Sequence, residues 1–225
     1  MTLTRVKICG LRSGEMVESV GHLPIDYIGF VFAKSKRQVP PQDTGVWLQK
    51  LREHGDKPLA AGVFVNPTIE ELRAVMTAAP LDMIQLHGAE SPALCKMVKE
   101  AWPTAEVYKV MSIPNDSQAL SEETVAKQCS PYLGCIDGIL LDTYDPHVGG
   151  GSGKTFQWSV IPHYQSWARA NQLPLFVAGG LHAGNVQELI EQYAPDGVDV
   201  SSGVETDGVK DIDKIRSFLE RMERT

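Results

Sequence analysis

The chain has 225 residues, 43% of them apolar and 22% charged, with 20 glycines and 14 prolines, a composition that excludes disordered, collagen-like and low-complexity chains. Its formal net charge of −7 repels a phosphate backbone and an anionic bilayer, so neither nucleic acid nor membrane is an expected partner, while a local anion site stays open. Length leaves one or two domains open and also suits a single α/β barrel.

The opening stretch, MTLTRVKICGLRSG, has no apolar segment behind its positive charges, and no run of about 18 apolar residues follows, so no export signal or membrane span is expected. The first predicted strand, 5–9 (RVKIC), puts Lys7 and Cys9 on one face and Ile8 on the other. Buried cysteine is usually packing, but Cys9 ends the strand directly before Gly10, where a thiolate can abstract a proton or attack a substrate. Cys95, Cys129 and Cys135 lie in helical stretches or ahead of a strand. The four show no CxxC spacing, which disfavours a disulfide framework or a zinc site and points to a reducing cytoplasm.

A second strand, 27–32 (YIGFVF), is followed by Lys34, Lys36 and Arg37. In an acidic chain this cluster suits an anion, and the planar fork of Arg37 matches a carboxylate. The third strand, 59–65 (LAAGVFV), leads to a capping box at 68–71 (TIEE) that starts a helix. The fourth, 83–87 (MIQLH), turns Gln85 and His87 to the same face; His87 has no second ligand at metal spacing, so a hydrogen-bonding role is expected and no metal. Ser91 then caps a helix whose first residue is Pro92.

Strand five, 107–111 (VYKVM), holds Lys109 within its length, where a structural role is expected. Strand six, 138–143 (GILLDT), ends on Asp142; a carboxyl drawn out of water after two leucines favours its protonated form and suits a general acid. The stretch 149–155 (GGGSGKT) lacks the first glycine of a P-loop, Val148 standing there, and reads instead as a glycine-rich cover.

Strand seven, 173–178 (LPLFVA), is followed by Gly179-Gly180, and strand eight, 197–202 (GVDVSS), by Gly203. Asp199 and Ser201 share the inward face. Barrels often hold phosphate on backbone amides of these two loops, so Gly179, Gly180, Ser202 and Gly203 imply a phosphorylated small molecule. Lys7 and Asp199, neighbours if strands one and eight meet, are expected to form an interior ion pair. Residues 185–193 and 211–222 read as amphipathic helices.

Eight βα units, with strand ends 22 to 36 residues apart and no linker between them, predict one domain over 1–225. They fit a closed (β/α)8 barrel of eight parallel strands better than an open doubly wound sheet. In either fold ligands meet the carboxyl ends of the strands.

Taken together, VKICG at Val6, DYIGFVF at Asp26, GVFVN at Gly62, IQLHG at Ile84, LLDT at Leu140, GGSGKTFQW at Gly150, VAGGL at Val177 and GVDVSSGVE at Gly197 resemble the phosphoribosylanthranilate isomerases of tryptophan biosynthesis, in order and over nearly the whole chain. The resemblance implies a cofactor-independent Amadori rearrangement of N-(5-phosphoribosyl)anthranilate, with Asp142 as general acid and Cys9 as general base. It implies that Arg37 meets the anthranilate carboxylate, that Gly179, Gly180, Ser202 and Gly203 hold the phosphate, and that Gln85, His87, Asp199 and Ser201 line the pocket. The expected protein is a cytoplasmic monomer or homodimer. Three departures stand out: Lys36, Ser152 and Ala183-Gly184 replace residues common in the family, and losing a proline before Arg37 removes a φ restraint, which leaves the rigidity of the arginine open.

Two other readings stay open. A non-catalytic barrel could bind a phosphorylated ligand through the same loops with Cys9 and Asp142 dispensable. Another phosphosugar isomerase or epimerase would need strand-end histidines or mouth lysines, of which only His87 and the interior Lys109 are at hand.

Overall fold

The computed structural model describes residues 4–53, 55, 58–114, 121–144 and 155–223, and the glycine-rich segment 149–153 lies outside them. Strand and helix alternate: β1 (Arg5–Cys9), α1 (Gly14–Val20), β2 (Tyr27–Val31), α2 (Pro41–Arg52), β3 (Leu59–Phe64), α3 (Ile69–Ala78), β4 (Met83–Leu86) and α4 (Pro92–Ala101) form the first half. The second half holds β5 (Glu106–Pro114), α5 (Glu122–Cys129), β6 (Gly138–Tyr144), α6 (Ile161–Ala170), β7 (Leu175–Val177), α7 (Val186–Tyr193), β8 (Gly197–Val200) and α8 (Ile212–Glu223). The eight strands pair in parallel and in sequence order, and β8 returns to β1 with Lys7 opposite Asp199, so the sheet closes.

Strands that are apolar on both faces suit a parallel sheet covered on both sides, and the pairing of β8 with β1 closes it. Outward residues such as Ile8, Phe30, Ile84, Leu86 and Leu141 join the core shared with the helices. Inward residues Tyr27, Ala61, Met83, Tyr108, Val110, Leu140, Phe176 and Ala178 fill the barrel. The helices begin where side chains cap them. Ser13 accepts from the Met16 N–H, Thr68 and Glu71 complete the predicted capping box, and Ser91 accepts from the Leu94 N–H ahead of Pro92.

The end of the barrel where the strands begin is plugged. The Arg5 guanidinium sits 4.9 Å from the Phe176 ring centroid and donates to the hydroxyls of Tyr27 and Tyr108 at 3.0 and 3.3 Å. Around this plug runs a fourfold pattern. Asp26, Asp82, Asp137 and Asp196 stand just ahead of β2, β4, β6 and β8, and each accepts from a backbone N–H of the preceding strand, at Val6, Ala60, Val107 and Leu175. These four carboxylates satisfy strand-end donors that the ladder leaves over.

The β1 bounds match the periodicity and the other strands differ from it by one to three residues at an end, most at β5, where Ser112 to Pro114 continue pairing with Asp142 to Tyr144. One element was not expected. After β8 and a 3-10 turn over Ser202–Val204, a two-stranded antiparallel hairpin forms from β9 (Glu205–Thr206) and β10 (Val209–Lys210).

Candidate active site

The carboxyl ends of the strands surround one pocket, lined by Cys9 of β1, Gln85 and His87 at β4, Asp142 of β6, Asp199 of β8, Arg37, and the loops after β7 and β8. Cys9 is buried beside Gly29, where a Cβ would stand 2.9 Å from its Sγ. Beneath it the expected ion pair is present: Lys7 Nζ lies 2.9 Å from Asp199 Oδ2, both side chains out of solvent. Burial pushes the Cys9 thiol up from its ordinary value; Lys7, within hydrogen-bonding reach, and Lys210 pull it back, while Asp199 adds to the rise. Burial opposes the charge on Lys7, yet Asp199 and Cys9 outweigh it and hold the ammonium above its usual range.

Across the mouth, Asp142 accepts from the Thr143 N–H at 2.7 Å through Oδ1 and meets His87 Nε2 at 3.2 Å through Oδ2. His87 Nδ1 in turn lies 3.2 Å from Gln85 Nε2, one inward position deeper on β4. Strand alternation anticipated that Gln85 and His87 share a face; the meeting of His87 with Asp142 comes from the tertiary structure.

The rigidity of Arg37, left open by the missing proline, is supplied by other contacts. Arg37 is buried, and its guanidinium grips Glu205 with Nε to Oε1 at 2.7 Å and Nη2 to Oε2 at 2.9 Å. Its stem lies over Gly10, which has φ +87° and whose Cβ would stand 2.7 Å from Arg37 Cδ. A bidentate pair and this close packing replace the missing proline restraint.

Glu205 also accepts from Lys210 at 2.6 Å, and Lys210 reaches the carbonyl of Ser201 at 2.9 Å. Burial pushes the Glu205 carboxyl up, but the hydrogen bonds from Arg37 and Lys210 prevail and hold it at about 2. Burial draws the Lys210 ammonium below its ordinary value despite Glu205. Sequence reasoning missed both residues. The signal was there in Asp207-Gly208, a hairpin turn pair flanked by Glu205 and Lys210.

The two glycine-bearing loops come together. Gly179 and Gly180 have φ of +85° and +62°, and Gly203 packs so tightly that a Cβ would stand 1.8 Å from the Leu181 carbonyl oxygen. Gly179, Gly180, Ser201 and Ser202 line the pocket; Gly203 lies behind them as the point of contact between the loops. Asn185 fixes the first loop by donating to the Gly180 carbonyl at 3.1 Å and accepting from the His182 N–H. Lys109 is structural as expected, paired with buried Glu90 at 3.0 Å and donating to the Gly88 carbonyl.

The four cysteines are free thiols. Among the described residues no group of three or more His, Cys, Asp or Glu stands together where it could hold a metal ion, and no helix is long and apolar enough to cross a membrane.

The family model for N-(5'phosphoribosyl)anthranilate (PRA) isomerase matches residues 6–221. A curated relative from Brevibacillus brevis, N-(5'-phosphoribosyl)anthranilate isomerase, is 46% identical over 220 residues, 98% of this chain and 94% of the relative. A crystal structure of monomers made from the dimeric phosphoribosylanthranilate isomerase of Thermotoga maritima superimposes with a TM-score of 0.79 at 33% identity, covering 99% of this chain and 100% of that one. Another, of phosphoribosyl anthranilate isomerase in complex with reduced 1-(o-carboxyphenylamino)-1-deoxyribulose 5-phosphate, gives 0.75 at 33% identity with the same coverage.

Proposed function

The chain belongs to the N-(5'-phosphoribosyl)anthranilate isomerase family and is an isomerase of tryptophan biosynthesis, and we propose that Cys9 and Asp142 perform its chemistry within one catalytic domain over 1–225. The observation that carries this reading is their placement: a thiol at the end of β1 and a carboxyl at the end of β6 line the same pocket as the two glycine-bearing loops.

In the proposed sequence, the substrate's phosphate rests on the loops at Gly179, Gly180, Ser202 and Gly203, and its anthranilate carboxylate faces Arg37. Asp142 gives a proton to the furanose ring oxygen as the C1–O bond breaks, leaving a Schiff base protonated on nitrogen. The Cys9 thiolate then takes the proton from C2, and the electron pair flows through C1 to the nitrogen, giving an enolamine. Protonation at C1 and loss of the 2-hydroxyl proton yield the ketone, 1-(2-carboxyphenylamino)-1-deoxyribulose 5-phosphate. Protons only change places, so the reaction balances without a redox partner.

Gln85, His87, Asp199 and Ser201 serve the substrate in this reading, with Asp199 Oδ1 buried and unpaired among the described residues. The cationic Schiff base and the Lys7 ammonium both favour the thiolate against the burial that opposes it. The working compartment is the cytoplasm, where free thiols persist, and the working form is a monomer or a homodimer.

The test is turnover of phosphoribosylanthranilate generated in place, followed by loss of its fluorescence. Wild type turns over, while Cys9→Ala and Asp142→Asn bind the substrate's phosphate end but lose activity by about 10²- to 10⁴-fold. Retained turnover in Cys9→Ala requires another base; a wild type that binds but never turns over favours a ligand-binding barrel.

A further inference from the structure

Gln85 Oε1 is one of three buried side-chain atoms with no hydrogen-bond partner among the described residues, on a residue only 1% exposed. An amide with one end unpaired is a poor filler for an apolar barrel, since a methionine would occupy similar space without the orphan. What the amide supplies is its other end, 3.2 Å from His87 Nδ1.

An amide N–H can only donate, so Nδ1 facing it must carry a lone pair, and the neutral ring's single proton then sits on Nε2. Nε2 lies 3.2 Å from Asp142 Oδ2. We infer that Gln85 is a positioning residue for the reaction: it fixes the tautomer of His87 so that Nε2–H is aimed at Asp142, the acid of the proposed function on which this inference rests.

The consequence is specific to an acid. Asp142 Oδ1 already accepts from the Thr143 N–H at 2.7 Å, so Nε2–H on Oδ2 orients the whole carboxyl group and leaves the second lone pair of Oδ2 for the proton that is transferred. When that proton passes to the ring oxygen, the carboxylate left behind is met by two fixed donors. His87 keeps its own proton throughout. Asp199 also faces this pair: Asp142 pushes its carboxyl up and His87 draws it down, while its Oδ2 is held by Lys7.

The experiment is long-range 1H–15N correlation on the full chain labelled with 15N-histidine. In the free wild-type protein His87 is expected to show an unprotonated Nδ1 and a protonated Nε2. Gln85→Glu keeps the shape but can only accept, so Nδ1 becomes protonated; Gln85→Met removes the contact, and both nitrogens move to intermediate shifts. Both variants lower kcat about ten- to a hundredfold with KM within about twofold. A wild-type Nδ1 that carries the proton overturns the inference, as do ring shifts that Gln85→Glu leaves unchanged. The wild-type spectrum decides the tautomer even where a variant fails to fold. Full turnover in Asp142→Asn removes the acid and with it the catalytic half of the inference, while the tautomer is read from the free protein independently.

Discussion

Arg37 and Glu205 meet fork to fork, Nε to Oε1 at 2.7 Å and Nη2 to Oε2 at 2.9 Å, across 168 residues of sequence. One edge of the guanidinium is thereby taken up inside the protein, with Nη1 outside the pair. The pair fixes the arginine in place, because a planar fork held at two points cannot swing.

Removing the charge on Glu205 tests this. Glu205→Gln leaves Arg37 and Lys210 with one poorer partner in a largely dry site, so unfolding stability falls by about 3 kcal/mol. KM for the substrate rises about tenfold, with a smaller change in kcat. Urea melts and steady-state kinetics on the same preparation read both. An unchanged KM would mean that the fork does not orient the substrate's carboxylate.

The same carboxylate sets an acid-stability window. Its value is held at about 2 against an ordinary 4.5, so its contribution is whole above about 4.5 and is lost as pH falls from there towards 2. Melting temperature should decline across that window in wild type, and part of the decline should vanish in Glu205→Gln, which has no proton to take up.

For Cys9 the sign runs the other way. Burial raises the thiol above its ordinary value, and the proposed base works only as thiolate, so kcat/KM of the free enzyme should keep rising with pH through the usual thiol range of about 8.5. Lys210→Met removes an ammonium that pulls the thiol down and should move this limb further to alkaline pH. A flat profile from pH 7 to 10 would rule out a thiolate base.

Gly203→Ala places a methyl against the Leu181 carbonyl, 1.8 Å from its oxygen in the present geometry. The loops after β7 and β8 must part. Inorganic phosphate, as a competitive inhibitor, should bind about tenfold more weakly, with Cys9 alkylation by iodoacetamide unchanged.

At the opposite end of the barrel, Asp82→Ala leaves the Ala60 N–H without its carboxylate acceptor. Stability should fall by about 1–3 kcal/mol, while kcat and KM hold, since the residue lies at the start of β4 and the pocket at its end. Chemical denaturation alongside kinetics separates the two effects.

Much of this was legible in one dimension. Short apolar runs at βα spacing predicted eight strands, and their two-sided apolar character is that of a parallel sheet covered on both faces. Period-two alternation placed Lys7 with Cys9 and Gln85 with His87, because a strand's facing is a local property. The Lys7–Asp199 pair was reachable too, since closure makes the first and last strands neighbours.

What only the tertiary structure decided is which groups meet across loops. Glu205 and Lys210 sit on a two-residue-strand hairpin too short for any periodicity to register, and Arg37 reaches Glu205 from a loop after β2. The direction of the His87 ring and the orphaned oxygen of Gln85 depend likewise on β4 standing beside its neighbours at one register. Sequence determines periodicity and chemical type locally. The pairing of charges from distant loops is set by the three-dimensional closure that brings eight strand ends around one mouth.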